Sequence, residues 1–448
     1  MIDYAQALRL LLADIVRLPA ETCPLAQASG RVLAGTIHSP IALPTFDHAA
    51  MDGYALAARE PLPAGSEHAV HGSQAAGDAA RSLSGFGGRG GNMDRTDGFA
   101  ARPTKARQAP GASAGGAWEI MTGACLPDGL DAVVPVERTE LLETRADGMP
   151  ARIRLLDPLA TGQNVRYAGS DVAPGAAVLH AGTTIGAAQV MLLAALGVPE
   201  VAVVRRPRVA IICTGKELQA DASQPLAPGR IYNSNGPYLT AELGAAGAQV
   251  LSCDTVDDTA GTFAEALQRA VDAGAELVIS TGAVSMGRHD FVPDSLRRLD
   301  AQILFHKVAM RPGRPLLCAR LAAGPLILAL PGTPMAVAVG LRFFVVPALR
   351  AMAGQPAEPT WHAVLDTAQH PRPGLRCFVH ATLQQGSDGR LLASVQSLQQ
   401  PFRIDPFAHA DAWVVLGEDA GDCAAGTRVE IVSLQPGLPP RSRPAAAG

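Results

Sequence analysis

The chain has 448 residues, of which 48% are hydrophobic, too many for one ordinary core and enough to build about three or four. Its 37 basic and 41 acidic residues leave a formal charge of -4, which gives no long-range field for nucleic acid, so any anion must be held by local contacts. The seven cysteines (Cys23, Cys125, Cys213, Cys253, Cys318, Cys377, Cys423) are scattered, odd in number and without CxxC spacing, which points to reduced cytoplasmic thiols rather than a zinc site or a disulfide framework.

The N-terminal stretch MIDYAQALRLLLADIVRLP reads as an amphipathic helix with acidic residues inside its apolar run, and no basic segment or small-residue cleavage site precedes it. No other stretch approaches the roughly 18 uninterrupted apolar residues of a membrane span, so neither export nor insertion is expected. Short strand-like pieces follow, RVLAGTIHS and MDGYAL, separated by Pro and Gly. Residues 77–116 are dominated by Gly, Ala, Ser and Arg with almost no large apolar side chains, so burial cannot offset their ordering entropy and a flexible insertion is expected. An RGG-like RNA contact is the functional alternative there. The segment AWEIMTGACLPDGLDAVVPVE then returns to strands.

From Arg208 the pattern alternates. RVAIICTG, QVLSCDTV, AELVISTG and GPLILALPG read as buried strands, with helices at SNGPYLTAELGAAG, DTAGTFAEALQRAVDAG and TPMAVAVGLRFFVVPALRAMAG. Asp258 or Thr259 is the expected N-cap of the second helix. This alternation implies an α/β domain with a mixed, mostly parallel sheet covered on both faces. Beyond about residue 355, the strands CFVHATL, LLASVQSL, DAWVVLGE and TRVEIVSL predict a small antiparallel barrel or sandwich.

Ligands of open α/β sheets lie beyond the carboxyl ends of the strands. Thr214-Gly215, Thr281-Gly282 and Pro331-Gly332, with Thr333 and Pro334 at a helix start, place small residues and backbone amides there, an environment suited to phosphate. Lys216, Glu217, Asp257, Asp258, Ser285 and Asp290 follow buried strands of the same domain, and Lys307, Arg311 and Arg314 can add cationic contacts to phosphate oxygens. Singly, a TG strand end is an ordinary turn, an Asp-Asp pair an ordinary cap, and the cations a solvated face. Jointly, carboxylates and glycines at successive strand ends favour a phosphate and Mg²⁺ site. None of these strand ends resembles a GxxxxGK[ST] loop or a GxGxxG finger.

PTFDHAAMDGYAL (44–56), IMTGACLPDGLDAVVPVE (120–137), GQNVRYAGSDVAPG (162–175), TGKEL, STGAVSMGRHDF, KVAMRPGRP and LPGTPMAVAVG together resemble the molybdopterin molybdenumtransferase family, of the MoeA and gephyrin E-domain type. The resemblance runs in order along nearly the whole chain. It implies an elongated homodimer of multidomain subunits: a discontinuous dimerisation domain at 1–44 and 157–205, a β-rich domain at 45–156, an α/β molybdopterin-binding domain at 206–354 and a β-barrel at 355–448. It also implies the activity, insertion of molybdate into adenylylated molybdopterin with release of AMP. By similarity Asp52, Glu217, Asp257 and Asp290 are catalytic, and Asp52 reaches the site from the partner subunit. Glu217, Asp257 and Asp290 would hold Mg²⁺. Substrate would be bound by Thr122, Asp171, Thr214, Gly215, Thr281, Gly282, Ser285, Lys307, Arg311, Arg314, Pro331, Gly332 and Pro334. Further partners would be other cofactor-synthesis proteins or a molybdoenzyme, with no nucleic acid and no membrane.

The chain departs from the family pattern at His48-Ala49, where Asn-Ser is usual, and at Lys216 and Arg288, where acids are usual. LPGTPMA replaces LPGNPVS, and no clear glycine-serine signature occurs near residues 396–404. Lys216 and Arg288 support one alternative, a catalytically weak paralogue that binds or delivers finished cofactor. Another, a hydrolase or adenylyltransferase sharing only the pterin-binding domain, leaves the MDGYA and IMTGA segments without a role.

Overall fold

The computed structural model describes residues 1–78, 116–284, 291–322, 324–386, 388–396 and 399–443. Most of the expected insertion at 77–116 lies outside the described residues, as do Ser285 and Asp290. The chain forms two compact units, one made of residues 1–35, 180–190 and 199–448, the other of residues 36–179 and 191–198.

In the first unit, Asp3 caps the opening helix Tyr4–Ala13, its carboxylate accepting from the Gln6 N–H at 2.7 Å, and the helix buries Ala7 and Leu11. The strand Ala20–Pro24 pairs antiparallel with Glu200–Val204. A six-stranded sheet follows in the order Gln249–Val256, Arg208–Thr214, Leu277–Thr281, Leu326–Leu330, Leu317–Arg320, Gln302–His306. The first four strands pair in parallel and Leu317–Arg320 alone runs the other way, pairing antiparallel with both its neighbours, which is the mixed, mostly parallel sheet expected. Alternation along each strand divides the core in two. Val209, Ile211, Ile279 and Leu328 pack with Leu239, Leu243 and Phe344, whereas Ala210, Ile212, Val278 and Ile327 pack with Phe263, Leu267 and Leu296. Runs with no polar face are what a doubly covered sheet requires.

The helix beginning at Pro334 runs to Met352 and is long and apolar enough to cross a membrane, yet 83% of its most apolar window is buried in this core. It is not one regular helix. Leu341–Val345 forms a π turn, because Pro347 has no N–H to donate and its ring crowds the carbonyl four residues earlier. Arg342 in that turn is buried, its Nε donating to the Ser433 carbonyl at 2.8 Å and its guanidinium paired with Glu358 at 2.6 Å.

Towards the C-terminus, Trp361–Leu365, Arg376–Gln385, Leu391–Val395, Ala412–Leu416 and Arg428–Ser433 form one curled sheet, and the pairing of Arg376–Gln385 with Ala412–Leu416 closes it into a five-stranded barrel. Met310–Arg311 adds to the barrel in parallel with Arg376–Cys377.

In the second unit, a curled six-stranded sheet is ordered Ala132–Pro135, Gly53–Leu56, Gly116–Ile120, Glu67–Gln74, Pro150–Leu155, Thr139–Thr144. Of the expected strand RVLAGTIHS, only Ile37–His38 is regular, pairing with Ala177–Leu179, and Val32 and Leu33 make isolated bridges. Gly53 has no choice of residue type: a Cβ there would lie 1.9 Å from the Val134 carbonyl oxygen.

Candidate functional site

Parallel register brings the candidate strand ends to one edge of the α/β sheet. Thr214 pairs with Val256, Cys213 with Thr281, and Thr281 with Leu330, so Gly215, Asp257, Gly282 and Pro331 leave the sheet side by side. The Gly215 N–H donates to the Val256 carbonyl and the Gly282 N–H to the Leu330 carbonyl, both at 3.0 Å. Buried Thr214 donates its hydroxyl to the Thr281 carbonyl at 3.1 Å. Gly282 has φ +92°, and a Cβ on it would meet Thr214 Oγ1 at 2.6 Å and the Thr214 carbonyl at 2.7 Å. A Cβ on Gly332 would lie 3.5 Å from Gly282 Cα, so these two glycine turns stand against each other. Thr333 is the N-cap residue of the helix starting at Pro334 but makes no side-chain cap bond. The exposed turn can therefore present backbone amide dipoles to an anion.

Beside this edge is a cavity of about 450 Å³ lined in part by Ala283, Arg311, Arg314, Gly332, Thr333 and Arg372. Among the described residues none of the three arginines pairs with a carboxylate, so their charge is available to a ligand. Lys307, grouped with the arginines from the sequence, does not line the cavity. It adopts φ +68°, and its N–H donates to the Leu316 carbonyl at 3.0 Å. Pro334 begins the helix behind Thr333.

The acidic candidates are placed differently. Asp257 and Glu217 are exposed. The Asp257 carbonyl accepts from Thr259 N–H at 2.7 Å and Thr262 Oγ1 at 2.8 Å, and Thr259 rather than Asp258 caps the helix Ala260–Asp272. The Asp258 carboxylate instead accepts from the Lys216 N–H at 3.3 Å. Among the described residues no group of three or more His, Cys, Asp or Glu side chains is placed to hold a metal ion. Amides and guanidinium groups around a cavity fit an anion, and the described carboxylates alone do not make a Mg²⁺ site.

The second unit holds Asp52, Thr122 and Asp171. Asp52 Oδ1 accepts from both the Thr122 N–H at 2.6 Å and the Thr122 hydroxyl at 2.8 Å. These bonds, the backbone one foremost, hold its carboxyl below the usual carboxylate range. Asp171 is exposed, and its N–H donates to the Leu43 carbonyl at 2.9 Å.

Three positioning residues escaped the sequence reading. Asn233 accepts from the Gly236 N–H at 3.0 Å and donates to Thr255 Oγ1 at 2.9 Å; Asn235 donates to the Gly332 carbonyl at 2.8 Å, holding the glycine turn. Their signal was the IYNSNG segment just before a helix, where asparagine caps and tethers. His306 donates Nε2–H to the Val284 carbonyl at 3.1 Å, and burial lowers its pKa. A lone histidine within FHK carries no local signal.

Two family models match the chain: the MoeA N-terminal region (domain I and II) over residues 2–197, and the probable molybdopterin binding domain over residues 210–351. A molybdopterin molybdenumtransferase of Synechococcus elongatus is 33% identical over 97% of this chain and 100% of its own length. The chain belongs to the molybdopterin molybdenumtransferase family. Within it, molybdopterin molybdenumtransferase 2 of Mycobacterium tuberculosis is 35% identical over 92% of this chain and 95% of its own. Among solved structures, the molybdopterin biosynthesis MoeA protein of Pyrococcus horikoshii is 26% identical, with a TM-score of 0.74 over 97% of this chain and all of that one.

Proposed function

We propose that this molybdenumtransferase-family chain inserts molybdate into adenylylated molybdopterin and releases AMP. The observation that carries the reading is the shared edge of Gly215, Gly282 and Gly332 beside the cavity of Arg311, Arg314 and Arg372. Thr214, Thr281, Pro331 and Pro334 shape that edge, and Ser285 is proposed as a further substrate contact. The amides and guanidinium groups would hold phosphate and molybdate oxygens against each other, so that the leaving AMP and the entering oxyanion share one orientation. Asp257, Glu217 and Asp290 are the proposed acidic residues, with a requirement for Mg²⁺ supported by the preference of that ion for carboxylate and phosphate oxygens. Asp52, Thr122 and Asp171 are proposed to serve the site of a partner subunit in a homodimer. The four-domain division and a cytoplasmic location complete the proposal, the latter supported by seven free cysteines.

The test is AMP release from adenylylated molybdopterin with molybdate and Mg²⁺ for the unmodified chain and for Asp257→Asn and Asp290→Asn. Loss of about 3 kcal/mol of transition-state stabilisation, a drop of roughly a hundredfold, is expected in each variant, with substrate still bound. Near-unaltered rates in both would remove the acidic assignment. Tight binding without release by the unmodified chain would favour a binding-only paralogue, the reading that Lys216 supports.

A further inference from the structure

Two cysteines near the strand ends have no part in the proposed reaction. Cys213 and Cys253 sit on the adjacent parallel strands Arg208–Thr214 and Gln249–Val256, where Ile211 pairs with Cys253 and Cys213 with Thr255. They are therefore offset by two residues on the same face of the sheet. Cys213 is fully buried and Cys253 is exposed. The helix Asn235–Ala245 covers this face, and its Gly236 makes room for the sulfur: a Cβ there would lie 2.8 Å from Cys253 Sγ and 3.0 Å from Asn233 Nδ2. The two thiols influence each other: Cys253, with Asn233 and Thr281, draws the Cys213 thiol down against the effect of burial, while Cys213 and burial push the Cys253 thiol up.

Register decides what such a pair can hold. Diagonal neighbours on adjacent strands have Cα atoms roughly 7–8 Å apart, beyond the limit of about 6.8 Å for an unstrained disulfide. A cation in linear coordination needs sulfurs about 4.6 Å apart, twice a metal–sulfur bond of about 2.3 Å. No third His, Cys, Asp or Glu joins the pair among the described residues, so an ion that takes four protein ligands, such as structural zinc, is poorly served. Two thiolates alone suit a soft monovalent ion.

We infer that Cys213 and Cys253 form a two-coordinate binding site for a soft monovalent cation of the copper(I) or silver(I) class. Binding forms two metal–sulfur bonds and releases the two thiol protons, with no change of oxidation state. Because Thr214 follows Cys213 and donates to the Thr281 carbonyl, a bound ion would tie the edge strand to the strand end beside the proposed substrate cavity.

Reduced full-length protein titrated anaerobically with copper(I), buffered by a chromogenic chelator, should bind one tight equivalent with two sulfur ligands in X-ray absorption. Cys213→Ser and Cys253→Ser should each abolish that equivalent, and Cys125→Ser should retain it. Silver(I) should raise the Tm of the unmodified protein and leave Cys253→Ser unchanged, since an ion stabilises only the state that binds it. Cys253→Ser lies at the exposed edge, so an unaltered Tm without silver establishes its fold, and it decides alone if Cys213→Ser does not fold. Unchanged copper binding in folded Cys253→Ser, three or more sulfur ligands, or ready formation of a Cys213–Cys253 disulfide under mild oxidant would each overturn the inference.

Discussion

Asp52 is held by one threonine: an exposed carboxylate, two hydrogen bonds to Thr122, and a glycine next door that tolerates no side chain. The edge of the α/β sheet is built in the opposite way, from buried strands whose register aligns three glycine turns, with Asn235 and His306 fixing the turns from other elements. One region places a charge by local bonds that could be lost one at a time. The other places backbone dipoles through packing, so a single added methyl group disturbs several groups together.

The largest effect should come from Gly53→Ala. A contact of 1.9 Å to a backbone oxygen can be relieved only by separating Gly53–Leu56 from Ala132–Pro135, at a cost of about 3 kcal/mol or more. Urea unfolding measures it, and a loss below about 1 kcal/mol would mean that the strand adjusts more freely than its pairing indicates.

Gly282→Ala meets contacts of 2.6 and 2.7 Å at φ +92°. A loss of about 2 kcal/mol is expected, together with weaker binding of adenylylated molybdopterin, because the Gly332 turn stands against Gly282. Normal binding by a destabilised Gly282→Ala would show that the two properties of this edge separate.

Arg311→Ala should leave stability unaltered and weaken substrate binding by about 1.5–3 kcal/mol, roughly ten- to hundredfold in Kd. Calorimetry at two salt concentrations checks both the loss and its electrostatic origin. Lys307→Ala, whose side chain does not line the cavity, should change Kd by much less, and equal losses would restore Lys307 to the anion site.

The smallest effect belongs to Thr122→Val, which removes the hydroxyl and keeps the N–H. Both Thr122 bonds favour the Asp52 carboxylate, so losing one should move its titration part-way up towards the ordinary range, as read by carboxyl NMR shifts. The sign for stability follows: a depressed carboxyl contributes above its unfolded pKa, and that contribution is lost as pH falls through the folded pKa. An unmoved titration would mean that the backbone bond alone sets the charge.

Much of the site was legible because its signals are local. TG and PG at the ends of apolar runs mark turns, and MDGYAL between Pro- and Gly-containing stretches marks a short strand. What was not legible depended on partners far away in the chain. Arg372 joins Arg311 and Arg314 only because Met310–Arg311 pairs with the barrel strand at Arg376–Cys377. Lys307, three residues before Met310, turns out of that grouping through a left-handed backbone. Asn235 reads as an ordinary helix-start residue until Gly332 is placed beside it.

By itself the sequence determined the doubly covered α/β sheet, a C-terminal set of β-strands and the family, since continuous apolar runs, alternating strands and ordered motifs are properties of neighbouring residues. Only the tertiary structure decided which cations share a cavity, that the described carboxylates do not assemble into a metal cage, that the C-terminal strands close into a barrel, and that two thiols 40 positions apart lie on one face of adjacent strands. Those outcomes are set by strand register and by the packing of distant elements, and no local pattern of residue types encodes either.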